Sequence, residues 1–460
     1  MNTKKYDLTQ GSILSRLLLV AVPLMGTQLL QMAYNLTDMF WLGRVGSDAV
    51  ASVGTAGMYM WLSVAFLVIG RMGAEIGVSQ YIGRSDPETA KSFAQNALFL
   101  AAIFGTLFAF FIHFLRVPLI GIFAIQEAHV AADAATYLGI VAIGMPAAFI
   151  SGAVTGTFNG VGASRIPFIT NGIGIVLNMA LTPLMIFTLD LGLHGAAWAT
   201  VIAQTVVLVL SLLAVRKLSV RPFHDLRLFT KPEAQRIRQM FRWTVPIAVE
   251  SGAFTILSMF IGRFVAAWGA DALAVQRVGI QVESFSWMIG IGFSSAVTAF
   301  VGQNYGAGRW RRIRGGTSWA FRIMLIWGVV TTAIPWIFGR QMFALFISDE
   351  IILAEGVRFL RILSVCQLLV CLEFWAIGVF RGLGKTTPPS VATIIGNTLR
   401  IPLAYFLSLT SLGVAGLRWG ITLGACMRAV ILVVWYMIYA RRLPREDIAP
   451  SCAGEENLLS

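Results

Sequence analysis

Charge is scarce in this chain. Asp, Glu, Lys and Arg together make up 12% of its 460 residues, against about 25% in a soluble globular domain. No segment has the composition of an independent soluble domain, which excludes an ordinary soluble enzyme. Cysteine and histidine are few, four of each. Cys366, Cys371, Cys426 and Cys452 lack the spacing of metal ligands or of a redox pair, and the first three lie in apolar runs. They read as buried thiols. His113, His129, His194 and His224 are scattered, so no metal centre is expected. With no nucleophile–base pair visible either, the chain is read as a non-enzyme that needs no cofactor. A cleavable signal peptide is not expected, because the first apolar run, from Ile13, continues into a polar-striped helix without a small-residue cleavage site.

What is abundant is hydrocarbon. Mean hydropathy is +0.76, and apolar runs recur from end to end, clearly at 98–114, 196–215, 323–338 and 421–439. A helix of ~20 apolar residues spans the ~30 Å core of a bilayer, and at that length plus short loops the chain holds about twelve spans. The runs are continuous rather than alternating, which argues against a barrel. The net charge of +13 does not signal nucleic acid. Basic residues gather in alternate loops: Lys4 and Lys5, Arg84 and Lys91, Arg165, the stretch 216–231, Arg309 to Arg314, Arg381 and Lys385, and Arg441 to Arg445. The intervening loops hold little beyond Arg44, Arg116, Arg340 and Arg418. This is the positive-inside pattern, and it assigns both termini and the central loop to the cytoplasm.

The sequence also repeats itself. Pro23 matches Pro246, Gly46-Ser-Asp48-Ala49 matches Gly269-Ala-Asp271-Ala272, and Gln80 with Gly83 matches Gln303 with Gly306, all at an offset of 223 residues. Gly156-x-x-x-Gly160-x-Gly162 with Pro167 matches Gly378-x-x-x-Gly382-x-Gly384 with Pro389 at 222. Leu191-Gly192 with Gly195 and Trp198 matches Leu412-Gly413 with Gly416 and Trp419 at 221. The order and near-constant offset define an N-lobe over 1–220, a cytoplasmic linker over 221–235 and a C-lobe over 236–460. Matching segments start on the same side, so each half has an even number of spans and the repeats are parallel. Transporters so built place their site between the halves and alternate access by rocking one against the other. The six motif glycines read as tight turns on the basic side.

An ionisable side chain in mid-membrane costs about 2.5–3.5 kcal/mol on insertion scales, so it marks a bundle interior or a wet cavity. Gln28, Gln31, Asn35 and Asp38 follow spacings of 3, 4 and 3 and share one helical face, with Tyr34 beside them. Two readings are open: a hydrated cavity wall ending in a cation-binding carboxylate, or amides that glue helices together with Asp38 near the interface. Asn178 and Thr182 share a face one turn apart, and Pro183 frees a backbone carbonyl beside them. These oxygens with Asp38 would suit a hard cation such as Na⁺, whereas a proton needs the carboxylate alone; a merely kinked helix is the other reading. Arg71 and Glu75 form an i,i+4 pair, read as structural. In the second half, Glu250 (with Ser251, Thr255 and Ser258 nearby) and Arg277, Gln281 and Glu283 interrupt apolar stretches. They line a C-lobe cavity or else form ion pairs of Glu250 or Glu283 with Arg277 or Arg263. Glu373 and Arg400 are further candidates.

These residues resemble the MATE family, the multidrug and toxic compound extrusion transporters of the multidrug/oligosaccharidyl-lipid/polysaccharide exporter superfamily. The likeness is carried by Asp7-Leu-Thr-Gln-Gly-Ser12, by Leu29-Leu-Gln-Met-Ala-Tyr-Asn-Leu-Thr-Asp38-Met-Phe-Trp-Leu-Gly43-Arg44, by Gln303-Asn-Tyr-Gly-Ala-Gly308 and by Gly378-Val-Phe-Arg-Gly-Leu-Gly384-Lys-Thr. It covers essentially the whole chain and is similar to bacterial members. It implies an all-α integral membrane protein of twelve helices in two pseudo-symmetric six-helix lobes, in the inner membrane, exporting small cationic or amphipathic compounds by antiport with H⁺ or Na⁺ and working as a monomer. Asp38 falls on the family's N-lobe cation carboxylate, and Asn178 and Thr200 match further polar positions of that site. Gln31 and Tyr34 match its N-lobe substrate cavity. Thr182 departs from the pattern, since many relatives carry an aspartate before the proline. That loss weakens an Na⁺ site and shifts weight to a proton at Asp38 or to a C-lobe site around Glu250. Some relatives carry carboxylates in helices 7 and 10; here helix 10 offers Glu373, not at a clear match. A flippase for a lipid-linked precursor is the alternative, and it calls for a strongly cationic cavity.

Overall fold

The computed structural model describes residues 6–448 apart from 124, 126, 218–222, 224–225, 227–230, 267 and 347–348. Lys4, Lys5, Arg221, His224, Arg227 and Cys452, and the side chains of Lys217 and Asp271, lie outside the described residues. All regular structure among them is helical: α1 (Ile13–Val45), α2 (Ser47–Gly83), α3 (Pro87–Gly121), α4 (Ala128–Val161), α5 (Arg165–Pro183), α6 (Gly192–Lys217), α7 (Ala234–Ala266), α8 (Ala270–Gly306), α9 (Trp310–Ala344), α10 (Glu350–Gly382), α11 (Thr387–Ser408) and α12 (Val414–Arg442). Twelve helices are long and apolar enough to cross a membrane. A π-helical turn, Leu184–Thr188, prolongs α5 past Pro183.

The helix ends follow local chemistry. Asp86 caps α3 by accepting the Thr89 N–H at 3.0 Å, and Pro87 fills the first helical position, where a missing N–H costs nothing. Asp349 caps α10 through the N–H groups of Ile351 and Ile352. Gly46 alone separates α1 from α2, at φ +148°, and its counterpart Gly269 precedes α8 at φ +100°. Both backbones suit glycine because no Cβ obstructs them.

The motif glycines require a correction. Gly162 (φ +87°) and Gly384 (φ +74°) do sit in turns, but Gly156 and Gly160 are inside α4, and Gly378 and Gly382 inside α10. A Cβ on Gly160 would lie 2.8 Å from the Glu75 carbonyl of α2. One on Gly382 would lie 2.8 Å from the Thr298 carbonyl of α8. Gly156 meets the Arg71 carbonyl and Gly378 that of Ser294 in the same way. Each motif is a small-residue stripe that lets two backbones touch, the means by which helices associate where no hydrophobic effect drives them together.

The lobes exchange the first halves of their leading helices. Leu17, Val20, Ala21 and Leu24 of α1 enter the C-lobe core beside Phe293, Ala296 and Phe300 of α8. Reciprocally, Met240 and Trp243 of α7 enter the N-lobe core, where Trp243 stacks on Phe93 at 5.6 Å. Between them lies a reciprocal clasp. Gln80 Nε2 donates to the Gly382 carbonyl at 3.0 Å, and Gln303 Nε2 donates to the Gly160 carbonyl at 2.9 Å. Gly83 rests on the backbone carbonyl of Gln303, and Gly306 on that of Gln80. Gln303 Oε1 also accepts the Leu8 N–H at 3.0 Å. This end of the molecule carries Arg84, Arg165, Arg309 and Lys385. All cross-lobe hydrogen bonds among the described residues lie in this half, whereas α1 makes no appreciable packing on α7, or α5 on α11. The lobes are closed at the basic end and unjoined at the other.

An alanine at Gly83 or Gly306 drives a methyl into a backbone carbonyl of the opposite lobe. Overpacking of this kind costs about 1–3 kcal/mol, so both variants are expected to lower the thermal unfolding midpoint of the purified protein. Gly43→Ala and Gly252→Ala, where a Cβ has nothing within 4 Å, serve as controls and leave the midpoint unchanged or slightly raised. Equal midpoints across the four variants would contradict the clasp.

Candidate functional site

The polar face expected on α1 is present beyond the clasp, in the half where the lobes are unjoined. Gln31 Nε2 donates to Asn35 Oδ1 at 3.3 Å, and Asn35 is exposed. Gln28 and Asp38 are partly exposed, and neither makes a side-chain hydrogen bond with a described residue. Asp38 forms no ion pair with a described residue either. Tyr34 lies near Thr200 and close enough to Asp38 to feel its charge. Buried Tyr137 of α4 lies near both. Next to them runs a relay of neutral groups. Thr182 Oγ1 donates to Asn178 Oδ1 at 2.9 Å, Asn178 Nδ2 donates to Thr200 Oγ1 at 3.3 Å, and Thr200 Oγ1 donates to the Ala196 carbonyl at 3.1 Å. The structure therefore gathers Tyr34, Asp38, Asn178, Thr182 and Thr200 from α1, α5 and α6. The π-helical turn after Pro183 adjoins this group; such turns often mark functional segments.

The arrangement contains one carboxylate. The oxygens of Thr182, Asn178 and Thr200 are tied to one another, so they lend little negative charge to a metal ion. A hard cation prefers several oxygen ligands including carboxylates. A single unpaired carboxylate next to phenol and hydroxyl groups suits the gain and loss of a proton.

The C-lobe interior is different, because almost every charge there is engaged. Glu373 of α10 and Arg428 of α12 pair at 2.7 Å, with side chains 4% and 8% exposed. Arg428 Nη1 also donates to Asn397 Oδ1 of α11 at 3.3 Å. Glu250 accepts from Ser390 Oγ at 2.8 Å and lies 3.9 Å from Arg381 Nη2. Glu283 accepts from Gln367 Nε2 at 3.3 Å. Arg400 Nη2 donates to Ser258 Oγ at 2.8 Å.

Several expectations are corrected here. Ion pairs of Glu250 or Glu283 with Arg277 or Arg263 do not form: both arginines are exposed, and Glu250 turns instead to Arg381. Arg381 belongs to the last turn of α10 rather than to a loop. Arg277 and Gln281 contribute no side-chain bond to the polar cluster, because six and two residues along the helix from Glu283 point to other faces. Arg71 and Glu75 are not within ion-pair distance. Glu75, fully buried, accepts instead from Ser295 Oγ of the other lobe at 2.6 Å and from Asn159 Nδ2 at 3.4 Å. Arg418 is not in a loop but in α12, bonded to Glu355 at 2.9 Å.

Sequence reasoning passed over Arg428, Asn397, Gln367 and Tyr137. Arg428 had a signal, since it interrupts the apolar run 421–439, and the rule that drew attention to Asp38 applies equally to cations. The uncharged residues carried no such mark.

A family model described as MatE matches this chain twice, at residues 23–184 and 246–406. Among curated proteins, the probable multidrug resistance protein NorM of Thermotoga maritima is 27% identical over 432 residues, covering 92% of each chain. The multidrug resistance protein PmpM of Pseudomonas aeruginosa is 25% identical, covering 97% of this chain and 96% of its own length. Among solved structures, a MATE in complex with MaD3S superposes with a TM-score of 0.89 at 22% identity, over 96% of this chain and 99% of the other.

The buried Glu373–Arg428 pair generates a stability prediction. Removing one partner leaves an uncompensated charge in the interior, which costs about 3–5 kcal/mol. Arg428→Gln is expected to lower the unfolding midpoint strongly, and the double variant Glu373→Gln/Arg428→Gln to recover much of the loss. Additive losses in the double variant would show that the two residues do not act as a pair.

Proposed function

This chain belongs to the MatE family of multi-pass membrane transporters, and on that premise we propose that it exports small organic compounds, cationic or amphipathic, in exchange for protons entering at Asp38. The observation that carries this reading is the contrast between lobes. Asp38 is a carboxylate within a membrane helix, on the unjoined side, that has no polar side-chain partner among the described residues, whereas Glu250 and Glu373 are paired with arginines. A group that must bind and release an ion in each cycle has to be free to do so. Relatives named multidrug resistance proteins support efflux as the direction of transport.

The positive-inside rule assigns the clasped basic end to the cytoplasm of a bacterial inner membrane, with both termini on that side. The unjoined end then faces outward, and Asp38 meets the external medium. Protonation removes the cost of keeping a carboxylate away from water, which favours the arrangement that has released its substrate. A charge crossing the membrane potential supplies about 2.3 kcal/mol per 100 mV. That equals roughly a 50-fold gradient. Exchange of one proton for one monocation cancels the voltage contribution, and the pH gradient alone then drives export. One chain holds both lobes, so a monomer suffices. Flipping a lipid-linked precursor would call for a cleft of strong net positive charge. The C-lobe arginines Arg381, Arg400 and Arg428 are matched in number by Glu250, Glu283 and Glu373, which supports efflux of small compounds over that reading.

In liposomes carrying a fluorescent lipophilic cation, an imposed pH gradient is expected to drive transport in the wild type, and an Na⁺ gradient is not. Asp38→Asn is expected to reduce the flux to the passive leak, while Glu250→Gln retains part of it. Full coupling in Asp38→Asn with loss in Glu250→Gln would move the coupling site to the C-lobe and overturn the assignment. Thr182→Asp adds a second carboxylate beside Asn178, and transport by that variant is expected to gain a component that depends on Na⁺.

A further inference from the structure

Arg400 has no place in the coupling scheme, yet its surroundings are specific. Three arginines held between C-lobe helices have acidic partners: Arg428 has Glu373, Arg381 has Glu250 and Arg418 has Glu355. Arg400, on α11, makes its one side-chain hydrogen bond among the described residues to the neutral hydroxyl of Ser258. Its Nε is buried and unpartnered. The guanidinium lies over the ring of Phe254 at 5.4 Å. Glu283 of α8 joins this group through Trp287, one turn along its helix, whose ring meets Phe254; it feels the charges of Arg428 and Arg400 and lies within ion-pair distance of neither. Its carboxylate is held by the Gln367 amide, and Gln367, 3% exposed, has its own carbonyl oxygen left without a partner.

An arginine and a glutamate that neither pair with each other nor find full partners elsewhere are costly in a partly dry interior. The remainder of the wall is aromatic. Phe254, one turn before Ser258 on α7, meets Trp287, one turn after Glu283 on α8, with ring centroids 5.8 Å apart. Thus α7, α8, α10 and α11 together offer a planar cation, an anion and two rings, all partly accessible.

We propose that this is a second, C-lobe subsite for flat aromatic compounds that are amphoteric, with an acidic group on Arg400 and a cationic nitrogen on Glu283, the ring system lying against Phe254 and Trp287. Guanidinium is the group suited to the acid, because its planar fork matches a carboxylate in two parallel hydrogen bonds and it already stacks on an aromatic face. The inference deepens the efflux reading and takes from it only the direction of movement. Binding at the subsite stands apart from coupling at Asp38.

The test is equilibrium binding to the purified full-length protein, read by fluorescence anisotropy, with a matched pair of dyes: a rhodamine free acid, which is amphoteric, and its ethyl ester, a permanent cation. Arg400→Gln is expected to weaken binding of the free acid about ten- to a hundredfold and to leave the ester within about twofold, the range of a charge-assisted hydrogen-bond pair. Ester binding also reports that the variant is folded. Arg400→Lys, which keeps the charge but not the fork, falls between wild type and Arg400→Gln. Glu283→Gln weakens both dyes, because both carry the cation. Equal loss of both dyes in Arg400→Gln, unchanged binding of the acid, or no binding of the acid to the wild type would each overturn the proposal. Gradient-driven flux of the ester is measured separately in liposomes. Its absence, with acid binding still dependent on Arg400, would sink the efflux reading and leave the subsite standing.

Discussion

Two buried glutamines hold the lobes together. Inside a bilayer an unpaired amide or carbonyl costs several kcal/mol, so polar side chains buried there bind helices to one another strongly and with defined geometry. Gln80 and Gln303 each send their amide to a carbonyl near the end of a glycine-striped helix in the opposite lobe, Gly382 and Gly160 respectively. Because Gly83 and Gly306 have no side chains, the two backbones touch at the same level. The clasp shuts the basic end, and just behind it Ser295 reaches across to the buried Glu75. Opening of that end requires these bonds to part together, which makes it a transition between two packings rather than a gradual bend.

The duplication supplies this scaffold, and divergence supplies the chemistry. At the repeat offset of 223 residues, Asp38 corresponds to Ile261, Glu250 to Thr27 and Glu75 to Thr298. The backbone contacts are kept, but the ionisable groups are not. One lobe presents a lone carboxylate ringed by tyrosines and hydroxyls. The other contains an internally balanced set of arginines and glutamates. The proposed function uses this divergence, with the ion taken and released where the charge is unpaired and substrates met where charges of both signs are present.

Asp38 and Glu373 show how differently two acidic residues in membrane helices can be placed. Both lie in apolar sequence. Glu373 is almost wholly buried against Arg428, and its charge is spent within the protein. Asp38 lies on the face of α1 that the neighbouring lobe does not cover. Its neighbours Tyr34, Thr200 and Tyr137 come from three helices.

The amino-acid sequence by itself determined the class, the span count, the twofold repeat and the polar stripe on α1. Each is a one-dimensional signal: hydropathy over a span, an offset between motifs, a spacing of three and four within a helix. Partners between helices were out of its reach, because the direction in which a membrane helix turns each residue depends on how its neighbours pack. Only the tertiary structure decided that Glu75 bonds to Ser295 rather than to Arg71, that Glu250 faces Arg381, and that Arg277 stands outside the polar cluster. It likewise converted four supposed turn glycines into helix contacts, since a glycine that bends the chain and one that admits a neighbouring backbone carry the same letter.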